Sequence, residues 1–158
     1  MILPRDATDA ARIRFMQTMI FECVEKVLIV AHGTRAPLDE EWEAWMARMG
    51  RLDYDCVLIL TDGAAPTPKQ RSATNAFWEG KEKPKMAVLS ESALVRGAIF
   101  AFYYLFKGGM RPFAPAHMND ALAFMDVPNT AWEAVARTAL RLHGAIRATE
   151  VRETQAVA

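Results

Sequence analysis

The run Tyr54-Asp55-Cys56-Val57-Leu58-Ile59-Leu60-Thr61-Asp62-Gly63-Ala64-Ala65-Pro66-Thr67-Pro68-Lys69-Gln70-Arg71 constrains the fold more than any other stretch. Its apolar part is too continuous for a strand with one wet face and predicts a central strand covered on both sides. A short polar turn follows, and then a helix start. Thr67 can cap, Pro68 suits the first helical position, and Gln70 completes a Thr-x-x-Gln capping box. A buried strand feeding a capped helix is part of a strand–helix–strand unit and calls for parallel neighbours. In open α/β sheets, binding surfaces gather at the carboxyl ends of strands. A helix N-terminus there attracts anions.

The rest of the chain fits around that unit. From Arg12, the residues Ile13, Phe15, Met19, Phe21 and Cys23 fall on one side at period two, predicting an extended segment. Glu25-Lys26 reads as a turn and Val27 to Ala31 as a second, more buried strand, so the pair predicts an antiparallel hairpin. Leu38, Trp42, Trp45, Met46 and Met49 share one helical face, with three acids in the first turn and Gly50 as the stop. The capped helix at Thr67 should run to about Trp78. Lys85 to Ser90 is a short strand, Ser92 to Phe106 a helix, and Arg111-Pro112-Phe113 an edge strand. Met118, Ala121, Leu122 and Met125 align within a helix from Pro115 to Met125. Thr130-x-x-Glu133 forms a second capping box, opening a helix to about Arg147 with Trp132, Val135, Ala136, Ala139, Leu140, His143 and Ile146 as its apolar stripe. The expected architecture is α/β: a single mixed sheet of four to five strands flanked by helices.

These motifs in this order resemble the STAS/SpoIIAA-like superfamily, the anti-sigma-factor-antagonist-like domains. The resemblance is carried by three stretches. They are Val57 to Leu60 feeding the helix at Thr67; Met86-Ala87-Val88-Leu89-Ser90-Glu91-Ser92-Ala93-Leu94-Val95-Arg96; and Arg111 to Pro115 leading into Asn119 to Met125. It implies a small, non-enzymatic regulatory module of bacterial signalling that binds a kinase, a switch protein or a scaffold component, or in some branches a nucleotide or lipid. Many members are switched by phosphorylation after the central strand. The Asp-Ser-x-Gly of that turn is replaced here by Thr61, Asp62 and Gly63, which leaves Thr67 as the phosphorylation candidate. On this division residues 1–11 are a flexible leader, 12–128 the STAS/SpoIIAA-like domain, 129–147 an added C-terminal helix, and 148–158 a flexible tail.

Thr61, Asp62, Thr67, Gln70 and Arg71 then form the candidate partner-binding edge, read either as a recognition surface or as ordinary turn and cap chemistry. A phosphate on Thr67 would sit at a helix N-terminus, where its charge is favoured. Arg96 interrupts an apolar helix, so it is either paired inside or exposed at an interface. Phe100, Phe102, Tyr103, Tyr104 and Phe106 ring that helix on more than one face. They are covered within the fold or they mark a partner surface. Phe102, Tyr103, Phe106 and Trp132 are the candidate oligomer contacts.

Other chemistries find little support in the residues. His32, His117 and His143 lack metal-ligand spacing, and no acid or nucleophile near His32 in sequence marks a triad. No catalytic residue, metal or cofactor is expected, and the chain is read as not an enzyme. Cys23 and Cys56 sit in apolar runs as buried small hydrophobes. With 19 Lys plus Arg against 19 Asp plus Glu, the basic surplus that nucleic acid would favour is missing. Zero net charge also fits a homodimer. No run reaches the roughly 20 apolar residues of a membrane span, and Met1 to Asp9 lacks the apolar core of a signal peptide, so the expected location is cytoplasmic. The reading is a non-catalytic regulatory or scaffolding protein acting by protein–protein contact, with a lipid- or nucleotide-binding domain as the alternative.

Overall fold

Five strands form one mixed sheet in the order in which they occur along the chain, β1-β2-β3-β4-β5. The computed structural model describes residues 17–105 and 109–158, with the side chains of residues 100–105 outside that description. β1 (Met19–Val24) and β2 (Val27–His32) make the antiparallel hairpin, with Val24 opposite Val27. Their link, Glu25-Lys26, takes positive φ at both residues, 49° and 60°. That geometry matches the twist of paired strands. Reaching it without glycine or asparagine costs roughly 1–2 kcal/mol per residue, which the hairpin ladder must offset.

From β3 onward every strand is parallel to the one before it. α1 (Asp39–Met49) leads to β3 (Cys56–Thr61), α2 (Pro68–Trp78) to β4 (Lys85–Leu89), and α3 (Ala93–Leu105) to β5 (Met110–Phe113). Both sheet faces are covered, which is why the strand sequences read as unbroken apolar runs. Val27, Ile29, Ala31, Cys56, Leu58, Leu60, Ala87 and Leu89 pack against α4 (Met118–Phe124) and α5 (Trp132–Val157). Leu28, Val30 and Val57 face the other way, onto Trp42, Trp45 and Met49 of α1 and Trp78 of α2. The α1 stripe and the α4 stripe both face the core as their spacing predicts, with Trp42, Trp45, Met49, Ala121, Leu122 and Met125 buried and Leu38, Met46 and Met118 half-buried.

The hairpin, the helix boundaries at Pro68–Trp78 and Ala93–Leu105, and the mixed α/β sheet agree with the sequence reading. Three expectations at the last helix do not hold. Leu140, placed in its apolar stripe, is 65% exposed, and Leu142 is buried instead. Thr130 does not cap it, because Asn129–Ala131 already form a 3-10 turn and the helix proper starts at Trp132. Glu133 pairs instead with Arg137. Nor does the helix stop near Arg147. It continues to Val157, so the stretch expected as a flexible tail is helical through that residue. The expected leader, residues 1–11, lies outside the described residues, as do Ile13 and Phe15 of the extended segment. So do Phe106 and the side chains of Phe102 and Tyr103, the candidate oligomer contacts. Among the described residues no helix is long and apolar enough to cross a membrane.

Candidate functional site

The carboxyl ends of β2, β3 and β4 converge on one edge, and the chain's polar chemistry collects there. At the end of β3, Thr61 is buried and its hydroxyl serves the turn: Oγ1 donates to the Ala64 carbonyl at 3.1 Å and accepts from the Gly63 amide at 3.1 Å. Thr67 caps α2, accepting from Gln70 N at 3.2 Å, while its own amide donates to Gln70 Oε1 at 3.0 Å. Gln70 is only 2% exposed, and its amide nitrogen donates to the Pro37 carbonyl at 2.8 Å and to Asp39 Oδ1 at 3.0 Å. It therefore ties the start of α2 to the start of α1. Arg71 is exposed, with one guanidinium nitrogen on the Pro66 carbonyl at 2.9 Å. The five residues do come together at one edge, but Thr61, Thr67 and Gln70 are held by the turn and the caps.

Asp62 is engaged by α5. Arg147 forks onto it with two bonds, Nε to Oδ2 at 2.9 Å and Nη2 to Oδ1 at 2.7 Å. His143 Nε2 lies 3.0 Å from Oδ2. The Arg147 bonds hold the Asp62 carboxyl below the usual carboxylate range, against the opposing effect of burial. One turn further along α5, Glu150 accepts from Thr34 N at 2.7 Å, and Glu153 pairs with Arg35 at 2.5 Å. His143, Arg147 and Glu150 recur at intervals of four and three residues, the spacing of one helix face. The sequence holds this signal, and it becomes visible once the helix is continued past Arg147.

On the opposite face of the same edge, His32 pairs in register with Thr61 and is 7% exposed. Its Nδ1 has no hydrogen-bond partner among the described residues. Burial pushes its pKa down to about 4, so the ring is neutral. Burial also pushes the Cys56 thiol up to about 11, which keeps it from being a thiolate.

A second feature lies beside β4 and β5. Arg96, Gly97, Arg111, Pro112, Phe113, Ala114, His117 and Phe124 line an open groove of about 750 Å³. Arg96 is half-buried and fixed: one nitrogen donates to the carbonyls of Ser90 at 2.6 Å and Glu91 at 2.8 Å. The expectation for Arg96 left open an internal pairing or an exposed role. The structure gives it backbone partners on one side and a groove on the other. Arg111 lies over the rings of Phe113 and Phe124 at 5.3 Å and 5.9 Å. His117 pairs with Asp120 at 2.8 Å on the groove rim. Trp132, the remaining oligomer candidate, is half-buried against the core and donates its indole N–H to the Val127 carbonyl at 2.8 Å.

The sequence reading missed Arg111 because a cation in a short edge strand looks like ordinary edge protection. Its role depends on Phe124 and Arg96, which are distant in sequence. Among the described residues no group of three or more His, Cys, Asp or Glu side chains could hold a metal ion. No protein-family model, no curated protein and no solved structure matches this chain.

Proposed function

We propose that this chain is a regulatory or scaffolding module of the STAS/SpoIIAA-like kind, non-catalytic, which acts by protein–protein contact and offers the Arg96–Arg111 groove to an acidic segment of its partner. The carrying observation is that two of the four described arginines without a carboxylate partner, Arg96 and Arg111 but not Arg71 or Arg152, line one groove. Arg35, Arg48, Arg51, Arg137, Arg141 and Arg147 each pair with a carboxylate of the chain itself. Arg96 and Arg111 share one groove and have no carboxylate partner among the described residues. One is pinned by two carbonyls and the other is backed by two rings, so less freedom is lost when a carboxylate arrives. Guanidinium–carboxylate bonds supply the affinity and the orientation. The mixed α/β sheet supports the family reading.

The test is affinity capture from native-host lysate with three chains: wild type, Arg111→Glu, and Arg71→Glu as a control on the neighbouring edge. Reversing Arg111 removes a charge-assisted contact of about 1.5–3 kcal/mol, tenfold or more in affinity. A partner held by wild type and Arg71→Glu but released by Arg111→Glu is the expected result. Retention by Arg111→Glu would remove the groove from the reading.

A small anionic ligand is the second reading, favoured by the groove's size and its Pro112, Phe113 and Phe124 wall beside two guanidiniums. Native mass spectrometry of the purified chain would then show a bound nucleotide or lipid that Arg111→Glu lacks.

A further inference from the structure

The end of β2 carries an arrangement that the groove does not explain. Thr34 N donates to Glu150 Oε1 at 2.7 Å, and Thr34 Oγ1 reaches the same oxygen at 3.2 Å. Three residues further along α5, Glu153 takes the Arg35 guanidinium. Gly33 makes room for this. A Cβ on Gly33 would fall inside the Glu150 carboxylate, overlapping Oε1 and Cδ. Gly33 is not among the residues with positive φ, so a methyl there would meet only the movable end of the Glu150 side chain. A vacant Cβ position, a backbone N–H, a hydroxyl and a guanidinium together make a receptor for two carboxylates spaced three apart on a helix.

The helix that fills this receptor is lightly attached there. The buried apolar residues of α5 end at Ile146. Beyond it Val151 and Val157 are exposed, and a cleft of about 1020 Å³ opens between residues 34–35 and the end of the helix. Thr34 and Arg35 are exposed, while Glu150 and Glu153 are half-buried and Glu153 Oε1 is buried with no hydrogen-bond partner among the described residues; a partly solvated pair contributes little by itself. The occupancy of these contacts rests on being in the same chain, where the effective concentration is high.

We propose that Gly33, Thr34 and Arg35 form a docking site for an acidic helix of a partner protein carrying two carboxylates three residues apart, and that α5 closes the site in cis with Glu150 and Glu153. The site is separate from the Arg96–Arg111 groove and does not depend on it.

The probe is a fluorescent peptide of residues 146–158, helix-stapled across the exposed positions Ala148 and Arg152, titrated with the full chain and read by anisotropy. Wild type should bind it weakly. The Glu150→Lys/Glu153→Lys chain, with its own helix repelled by Arg35, should bind at least tenfold tighter. Adding Arg35→Glu should return that chain to the wild-type level. Equal binding by wild type and the double variant overturns the proposal. So does full displacement by millimolar inorganic phosphate, which would mark a general anion site. In the same background Arg111→Glu should leave the affinity unchanged; a loss there would move the peptide to the groove and also overturn the proposal. Hydrogen exchange at the Thr34 amide gives an independent readout. It should quicken at least tenfold in Gly33→Ala, whose circular dichroism should match wild type, because the new methyl displaces the Glu150 carboxylate. Unchanged exchange in that folded variant refutes the cis closure.

Discussion

Lowering the pH from 7 to 5 should weaken this fold through one side chain, His32. Its ring sits at the end of a central strand, 7% exposed, with Nδ1 lacking a partner among the described residues. Burial lowers its pKa to about 4, whereas an unfolded chain has an ordinary imidazole near 6.5. The unfolded state therefore binds the proton first, and stability falls as pH drops through 6.5, levelling off below about 4. The full difference of two to three pKa units corresponds to roughly 3 kcal/mol, and about 2 kcal/mol of it should be gone by pH 5. The assay is urea unfolding at pH 7.0, 6.0, 5.0 and 4.5, wild type beside His32→Leu. Removing the ring should flatten the curve between pH 6.5 and 4.5. The carboxylate of Asp62, held low by Arg147, acts in a different window. Its contribution is complete above the ordinary carboxylate value and is lost only as pH falls below it, so it leaves this range undisturbed. If His32→Leu keeps the wild-type slope, the reasoning about His32 is wrong.

Two further perturbations separate architecture from recognition. Gln70→Ala should cost about 2–4 kcal/mol in urea unfolding, because it leaves the Pro37 carbonyl and the Thr67 amide without their partner; a change below about 0.5 kcal/mol would return Gln70 to the list of recognition residues. Leu142→Ala, at 1% exposure under the sheet, should cost about 2–5 kcal/mol in the same assay, and an unchanged midpoint would mean that α5 is dispensable to the core.

The sheet was legible because its signals are local. Val57 to Leu60 and Val27 to Ala31 are apolar at every position, and both prove to be covered on two faces. Thr67, Pro68 and Gln70 announced the start of α2 with the atoms that form the cap. The same kind of signal misled at Thr130, where a 3-10 turn took the place of a cap. What stayed hidden was pairing across long separations. Thr18 N donates to Glu41 at 2.9 Å and its hydroxyl accepts from Leu38 N at 3.2 Å, fastening the start of β1 to the start of α1. Neither residue signals the other in the sequence. Asp62 looked like a free turn acid, because the arginine that grips it lies in a helix read as ending there.

The sheet is laid down strand by strand in chain order, while the helices that cover one of its faces come after every strand. On a ribosome this ordering has a cost. As β2, β3 and β4 emerge, α1 and α2 can shelter Leu28, Val30 and Val57 at once. Ile29, Leu58 and Leu89 on the reverse side wait, bare, until α4 and α5 have been synthesised. For that interval the nascent chain carries a half-finished sandwich, a target for chaperones that bind exposed aliphatic strands. A stall or early stop before α5 should yield an insoluble fragment rather than a smaller folded protein.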